Sequence, residues 1–155
     1  MYLDGDSICL RFQGNQYEIC QTEECHLVGV CNYENIMAAS GMAYCLGIPM
    51  EIIQKTVREF RAVEHRIEFV EEIRGVRYYN DSKGTNPDAA IQGIKAMTRP
   101  TFVIGGGYDK GSEYDDWIGE FGQKVKKLVL LGQTAEKIAA CARKHGFQDI
   151  VFVSD

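Results

Sequence analysis

The chain has 155 residues, 45% hydrophobic and 25% charged, enough for the core of one typical domain or of a smaller domain plus part of another. Its formal net charge of -5 argues against a general nucleic-acid binder, whose footprint is basic. No apolar stretch approaches the ~20 residues that span a bilayer, and residues 1–6 lack the basic and apolar regions of an export signal, so a cytoplasmic protein without a membrane partner is expected.

In chain order, Ser7-Ile8-Cys9-Leu10-Arg11-Phe12 alternates, Gly14-Asn15 supplies a turn, and Gln16-Tyr17-Glu18-Ile19-Cys20 returns, the pattern of a hairpin. Leu27-Val28-Gly29-Val30 reads as a further short strand. Asn32 reads as the N-cap of a helix over residues 33–46 that Gly47 stops. Pro49 opens a second helix through Phe60, with Ile52, Ile53, Thr56, Val57 and Phe60 on one face. Polar residues 61–66 follow, and a domain boundary is expected near Glu64.

Beyond it, Ile67, Phe69 and Ile73 alternate with charges, and Gly75 begins a return strand toward Asn80. Strand 76–79 then leads to helix 87–97, strand 101–104 to helix 114–125, and strand 128–131 to helix 135–145, before a last strand at 150–153. Alternation at this spacing predicts an α/β fold with a parallel sheet and right-handed crossovers. In such sheets ligands bind outside the carboxyl ends of the strands. The loops leaving those ends are residues 80–86, 105–111 and 132–134.

The first of these loops, Asn80-Asp81-Ser82-Lys83-Gly84-Thr85-Asn86-Pro87, holds a carboxylate, two hydroxyls, an ammonium and a glycine. Asn86 as cap, Pro87 at the first helical position and Asp88 at the positive helix end have a purely structural account. That account does not cover Asp81, Lys83 and Thr85. Lys83 can neutralise an anion near a helix N-terminus, Thr85 can donate a hydroxyl, and Gly84 permits close approach. The other reading is a solvated loop with an Asp81–Lys83 ion pair. In Gly105-Gly106-Gly107-Tyr108-Asp109-Lys110-Gly111, glycines can turn backbone N–H groups toward a ligand and Lys110 adds charge. This is neither a dinucleotide fingerprint nor a Walker A loop, and G-x-x-x-x-G-K-[ST] occurs nowhere in the sequence. Arg66 suits a phosphate or nucleobase across an interdomain cleft.

The cysteines, Cys9, Cys20, Cys25, Cys31, Cys45 and Cys141, contain no C-x-x-C pair and read as reduced thiols. A zinc site from Cys20, Cys25 and His26 has unusual spacing and no obvious fourth ligand, so no metal site is expected in the chain. His26 and His145 read as structural or exposed.

Four motifs in order, Gly29-Val30-Cys31-Asn32-Tyr33-Glu34-Asn35 with Ala38-Ala39, His65-Arg66-Ile67-Glu68, the 80–86 loop and the 105–111 loop, resemble successive motifs of the Mur ligases. The Asn-Asp-Ser-Lys-x-Thr-Asn pattern resembles the branch that adds D-glutamate. The resemblance implies that residues 1–64 are the end of a central ATPase domain, a partial α/β unit. Residues 65–155 would be most of a C-terminal Rossmann-like domain, its mostly parallel sheet flanked by helices on both faces.

The resemblance also implies a reaction using ATP and Mg²⁺ to join D-glutamate to UDP-N-acetylmuramoyl-L-alanine for peptidoglycan. By the same resemblance Lys83 is catalytic, near the transferred phosphate. Thr85 and Lys110 hold the amino acid's α-carboxylate, with Ser82 also on the substrate side, and Asn32, Asn35, Arg66 and Asp81 serve the nucleotide. Cys31 departs from a usual histidine and Gly84 from a usual alanine. Magnesium-binding groups of the central domain and a UDP-binding domain are missing, so the chain is expected to be a fragment, inactive alone. The alternatives are a ligase for a different amino acid and a non-catalytic binding module for a nucleotide or amino acid.

Overall fold

The computed structural model describes residues 1–154; Asp155, the last residue of the expected second domain, lies outside them. Two compact units divide the chain, residues 1–81 and 82–155.

The first unit opens with strands β1 (Tyr2–Asp4), β2 (Ser7–Phe12) and β3 (Asn15–Gln21), an antiparallel sheet in that order. The turns at Gly5 and at Gln13-Gly14 run at positive φ, which lets the chain reverse within two residues. A 3-10 turn at Thr22–Glu24 is closed by a reciprocal capping box, in which Glu24 Oε2 accepts the Gln21 N–H at 2.8 Å. Two helices follow, α1 (Val30–Cys45) and α2 (Met50–Glu59). Ile8, Leu10, Ile19 and Cys20 of the sheet pack with Ile36 of α1 and Ile53 of α2 as the core of this part. Full burial of one such aliphatic side chain is worth about 1.5–3 kcal/mol. Strands β4 (Glu68–Ile73) and β5 (Val76–Asn80) complete the unit as an antiparallel hairpin, turned at Arg74-Gly75.

Three expectations fail here. Residues 27–30 form no strand, because Gly29 at φ 93° bends the chain directly into α1. Asn32 is not the N-cap; that position is Gly29, and Asn32 lies in the first helical turn. Strand 76–79 does not start the parallel sheet, since β5 pairs with β4 and the hairpin turn fixes its direction as antiparallel.

The second unit has helix α3 (Pro87–Ala96), strand β6 (Thr101–Gly106), short helix α4 (Asp115–Gly119), strand β7 (Val125–Leu131), helix α5 (Ala135–Lys144) and strand β8 (Ile150–Phe152). The strands form a parallel sheet in the order β6-β7-β8. Ile94 of α3, Trp117 and Ile118 of α4, and Ile138, Ala139 and Ala142 of α5 enclose Leu128 and Leu130 of β7. Among the described residues the helices cover one face only. Phe102 and Ile104 of β6, whose side chains alternate with the covered set, are 66% and 74% exposed. Sequential strand order with crossovers of one hand places both connecting helices on the same side. The expected helix over 114–125 is cut to five residues, with Gly119 and Gly122 (φ 47°) ending it and β7 beginning early at Val125.

Candidate functional site

In the first unit, Leu27, Asn32, Asn35, Phe60, Val63 and Arg66 line a cleft of about 250 Å³. Three of the four residues expected to serve a nucleotide are therefore brought together. Asn32 is buried, and its Nδ2 donates to the Val28 carbonyl at 2.8 Å, which ties the bend before α1 to the helix. Asn35 follows one helical turn later, on the same side of α1. Phe60, Val63 and Leu27 give the cleft apolar walls, and reasoning from polar motifs did not select them.

Arg66 is exposed on a turn that the chain holds under strain. His65 and Ile67, on either side of it, have φ values of 68° and 46°. For a β-branched residue such as Ile67 this is a genuine outlier, costing on the order of 1–3 kcal/mol. All three N–H groups of the turn are engaged. His65 N donates to Glu68 Oε2 at 2.7 Å, Arg66 N to the Val63 carbonyl at 3.2 Å, and Ile67 N to Asp81 Oδ1 at 3.0 Å. His65 Nδ1 also meets Asn80 Nδ2 at 2.8 Å. Burial pushes the Asp81 carboxyl above the ordinary aspartate range, although the Ile67 N–H and the Arg66 charge pull against it. Asp81 does not line the cleft with the other three; its oxygen braces the turn that carries Arg66.

In the second unit, the loop before α3 carries the charged candidates. Asn86 Oδ1 accepts the Ala89 N–H at 2.8 Å and Pro87 starts the helix, as the sequence implied. Thr85 N donates to the Lys83 carbonyl at 2.9 Å, so residues 83–85 form a tight turn with Lys83 and Thr85 exposed. Ser82 is exposed one position earlier. Lys83 and Lys110 have no carboxylate within ion-pair distance among the described residues, whereas Lys95, Lys127, Lys137 and Lys144 each have one.

The glycine loop works differently from expectation. A Cβ on Gly106 would lie 1.9 Å from the Leu131 oxygen, and one on Gly105 would lie 3.1 Å from the Trp117 ring. Gly107 donates its N–H to Leu131 at 3.1 Å and accepts from Thr134 N at 3.1 Å. Gly106 is needed because the ends of β6 and β7 meet closely there, Gly105 because the Trp117 ring lies against it, and the Gly107 N–H is taken by the Leu131 carbonyl. Gly111 N donates to Asp109 Oδ1 at 2.8 Å, which shapes the exposed turn bearing Lys110.

Cys20 and Cys25 do approach, Sγ to Sγ 3.2 Å, but His26 joins no three-residue ligand group with them among the described residues. All six cysteines are free thiols.

A family model described as "Mur ligase, glutamate ligase domain" matches residues 65–155. UDP-N-acetylmuramoylalanine–D-glutamate ligase of Lachnoclostridium phytofermentans is 54% identical over 153 residues, covering 99% of this chain and 34% of that protein. The enzyme of the same name from Caldicellulosiruptor saccharolyticus is 44% identical over all 155 residues. The chain thus spans about a third of the length of these curated relatives. Among solved structures, UDP-N-acetylmuramate-alanine ligase MurC of Thermotoga maritima superposes with a TM-score of 0.67 at 15% identity, over 91% of this chain and 32% of that one. MurF of Acinetobacter baumannii gives 0.66 at 18% identity, over 94% and 32%. At such identities the structural likeness speaks for the fold. The compact units divide at 81/82 and the family model begins at 65, so the β4–β5 hairpin falls to opposite sides of the two divisions. With most of its length matched by that model, the chain belongs to the Mur ligase family.

Proposed function

We propose that this chain is part of an ATP-dependent ligase that adds D-glutamate to UDP-N-acetylmuramoyl-L-alanine in peptidoglycan synthesis. The observation that carries the reading is identity of 54% along nearly the whole chain to a ligase named for that reaction. Lys83 and Lys110, exposed and without a carboxylate at ion-pair distance among the described residues, stand on the loops before α3 and after β6 and agree with an anionic substrate. The alanine ligase MurC shares the fold at 15% identity, against 54% for the D-glutamate ligase, which favours the D-glutamate branch.

In this reading the substrate carboxylate is activated as an acyl phosphate, ADP leaves, the D-glutamate amine attacks the acyl carbon, and phosphate is expelled. The protein's part is positioning and charge stabilisation. Lys83 balances charge building on the transferred phosphoryl group. Thr85 and Lys110 hold the amino acid's α-carboxylate through a hydroxyl and an ammonium, with Ser82 beside them in sequence. Asn32, Asn35 and Arg66 fit a nucleotide, because their cleft pairs apolar walls with amides and a guanidinium. Asp81 serves that side by holding the Arg66 turn.

Mg²⁺ takes oxygen donors. The one group of three candidate ligand residues among the described residues offers sulfur and nitrogen beside a single carboxylate, so Mg²⁺ is assigned no site here. The residues from 1 to about 64 are read as the end of the ATPase domain and those from 65 as the amino-acid domain. A cytoplasmic location belongs to this reading, where ATP is available and thiols stay reduced. Among the described residues no helix is long and apolar enough to cross a membrane.

The test is an NMR titration of the 155-residue chain with D-glutamate, beside an ATP assay. Chemical-shift changes should centre on residues 82–86 and 108–111, with L-glutamate weaker, and no ADP should form. Shifts that are unchanged by Lys110→Ala and by Thr85→Ala would remove the assigned amino-acid pocket.

A further inference from the structure

Asp115, Cys141 and His145 are not among the residues assigned a role above. Cys141 and His145 are four residues apart at the end of α5, which puts both on one face of the helix. Asp115 comes from the first residue of α4, about 30 positions earlier in sequence. One ligand atom from each, a thiol sulfur, an imidazole nitrogen and a carboxylate oxygen, falls within 4.8 Å of the other two. Asp115 and Cys141 are half-buried and His145 is exposed, so the cluster is open to solvent on one side.

We propose that Asp115, Cys141 and His145 form a binding site for a borderline-soft divalent transition metal, with Zn²⁺ as the natural occupant. One sulfur, one nitrogen and one oxygen suit Zn²⁺ or Co²⁺ and disfavour Mg²⁺ and Ca²⁺, which take all-oxygen shells. Ligand atoms held at about 2.0–2.3 Å on a tetrahedral ion lie roughly 3.3–3.7 Å apart. His145 Nε2 already sits 2.9 Å from Asp115 Oδ1, so closure needs only side-chain rotation of order 1 Å at the widest edge.

The present occupant of the carboxylate is the Lys144 ammonium, 2.9 Å from the same Asp115 oxygen. Lys144 is largely exposed, so it can swing into solvent when a metal supplies the positive charge instead. Binding expels the thiol proton of Cys141 to solvent, and the Nε2 proton that His145 shares with Asp115 gives way to the ion, the neutral ring keeping its one proton on Nδ1; thiolate, neutral imidazole and carboxylate are left on the ion. Three protein ligands leave a fourth position for water.

The test uses the reduced 155-residue chain and Co²⁺ alone as probe, read by thiolate-to-cobalt charge-transfer absorption, with Zn²⁺ as competitor. The expected result is one saturable equivalent, displaced by Zn²⁺. Cys141→Ser should abolish the band, and His145→Gln should weaken Co²⁺ binding by about tenfold or more. Circular dichroism on the His145→Gln chain, altered only at an exposed position, separates loss of metal binding from loss of fold. A Cys20→Ser/Cys25→Ser chain should keep the band. Absence of the band at millimolar Co²⁺, its survival in Cys141→Ser, unchanged affinity in a folded His145→Gln chain, or its loss in the Cys20/Cys25 variant would each overturn the site.

Discussion

The Asp81 carboxylate accepts the Ile67 N–H at 3.0 Å and so holds a β-branched residue at a φ of 46°. Removing the brace with Asp81→Ala should cost about 1–3 kcal/mol, the range for a half-buried N–H left without its acceptor. Asp81→Asn keeps an acceptor oxygen and removes the charge. Because burial raises the folded-state pKa, the native Asp81 contributes stability below its ordinary value of 3.8 and loses it as pH rises through the folded value. The Asn variant should match the native chain in acid and gain on it above that window. Urea denaturation at a series of pH values measures both effects, and a constant difference across pH would refute the second.

Gly106 and Gly111 both have positive φ, yet substitutions there should differ in cost. Gly106→Ala would set a Cβ 1.9 Å from a backbone oxygen at φ 127°, which the β6–β7 rim cannot accommodate without moving. A loss of about 3 kcal/mol or more is expected. At Gly111 the space is open and φ is 74°, so alanine should cost only about 1 kcal/mol. Equal costs in thermal unfolding would contradict the close-approach account.

Cys20 is fully buried, and burial together with its Cys25 contact pushes the thiol up to about 12. Exposed Cys45 should therefore react with iodoacetamide at pH 8 while Cys20 stays unmodified, as read by peptide mass mapping. Comparable labelling of both in the folded chain would count against the buried environment.

The α3 cap offers a local control. Asn86→Ala should destabilise the chain by about 1 kcal/mol through loss of the Ala89 contact. Its effect on D-glutamate titration shifts should be smaller than that of Lys110→Ala, since the Asn86 side chain is occupied by the helix. A larger effect would move Asn86 into the binding set.

Much of this was readable because period and punctuation agreed. The β2–β3 hairpin, the Pro87 start of α3 and the Gly146 turn after α5 follow from alternation, caps and glycine positions. Asn32 misled because asparagine at a helix start is a good cap, and only the backbone shows Gly29 in that place. The Thr22–Glu24 turn went unread because its capping box uses glutamine and has no apolar run after it. At the site, charge and hydroxyl content pointed to the 80–86 and 105–111 loops. The bracing of Arg66 by Glu68 and Asp81 depends on pairing of β4 with β5, which local pattern does not specify. The Cys141-x-x-x-His145 spacing was visible, but its partner Asp115 is brought there only by packing of α4 against α5.

Gly107 is fastened on both its N–H and its carbonyl to the strand-end loop of β7, so freedom in the glycine loop starts at Tyr108. Lys110 is then two residues past the first free link and one from a glycine pinned to Asp109. At about 3.3–3.6 Å per extended residue, such a tether lets the Lys110 Cα reach only ~10 Å beyond its anchor. The charge has a short leash, and any anion it is to meet must come to it.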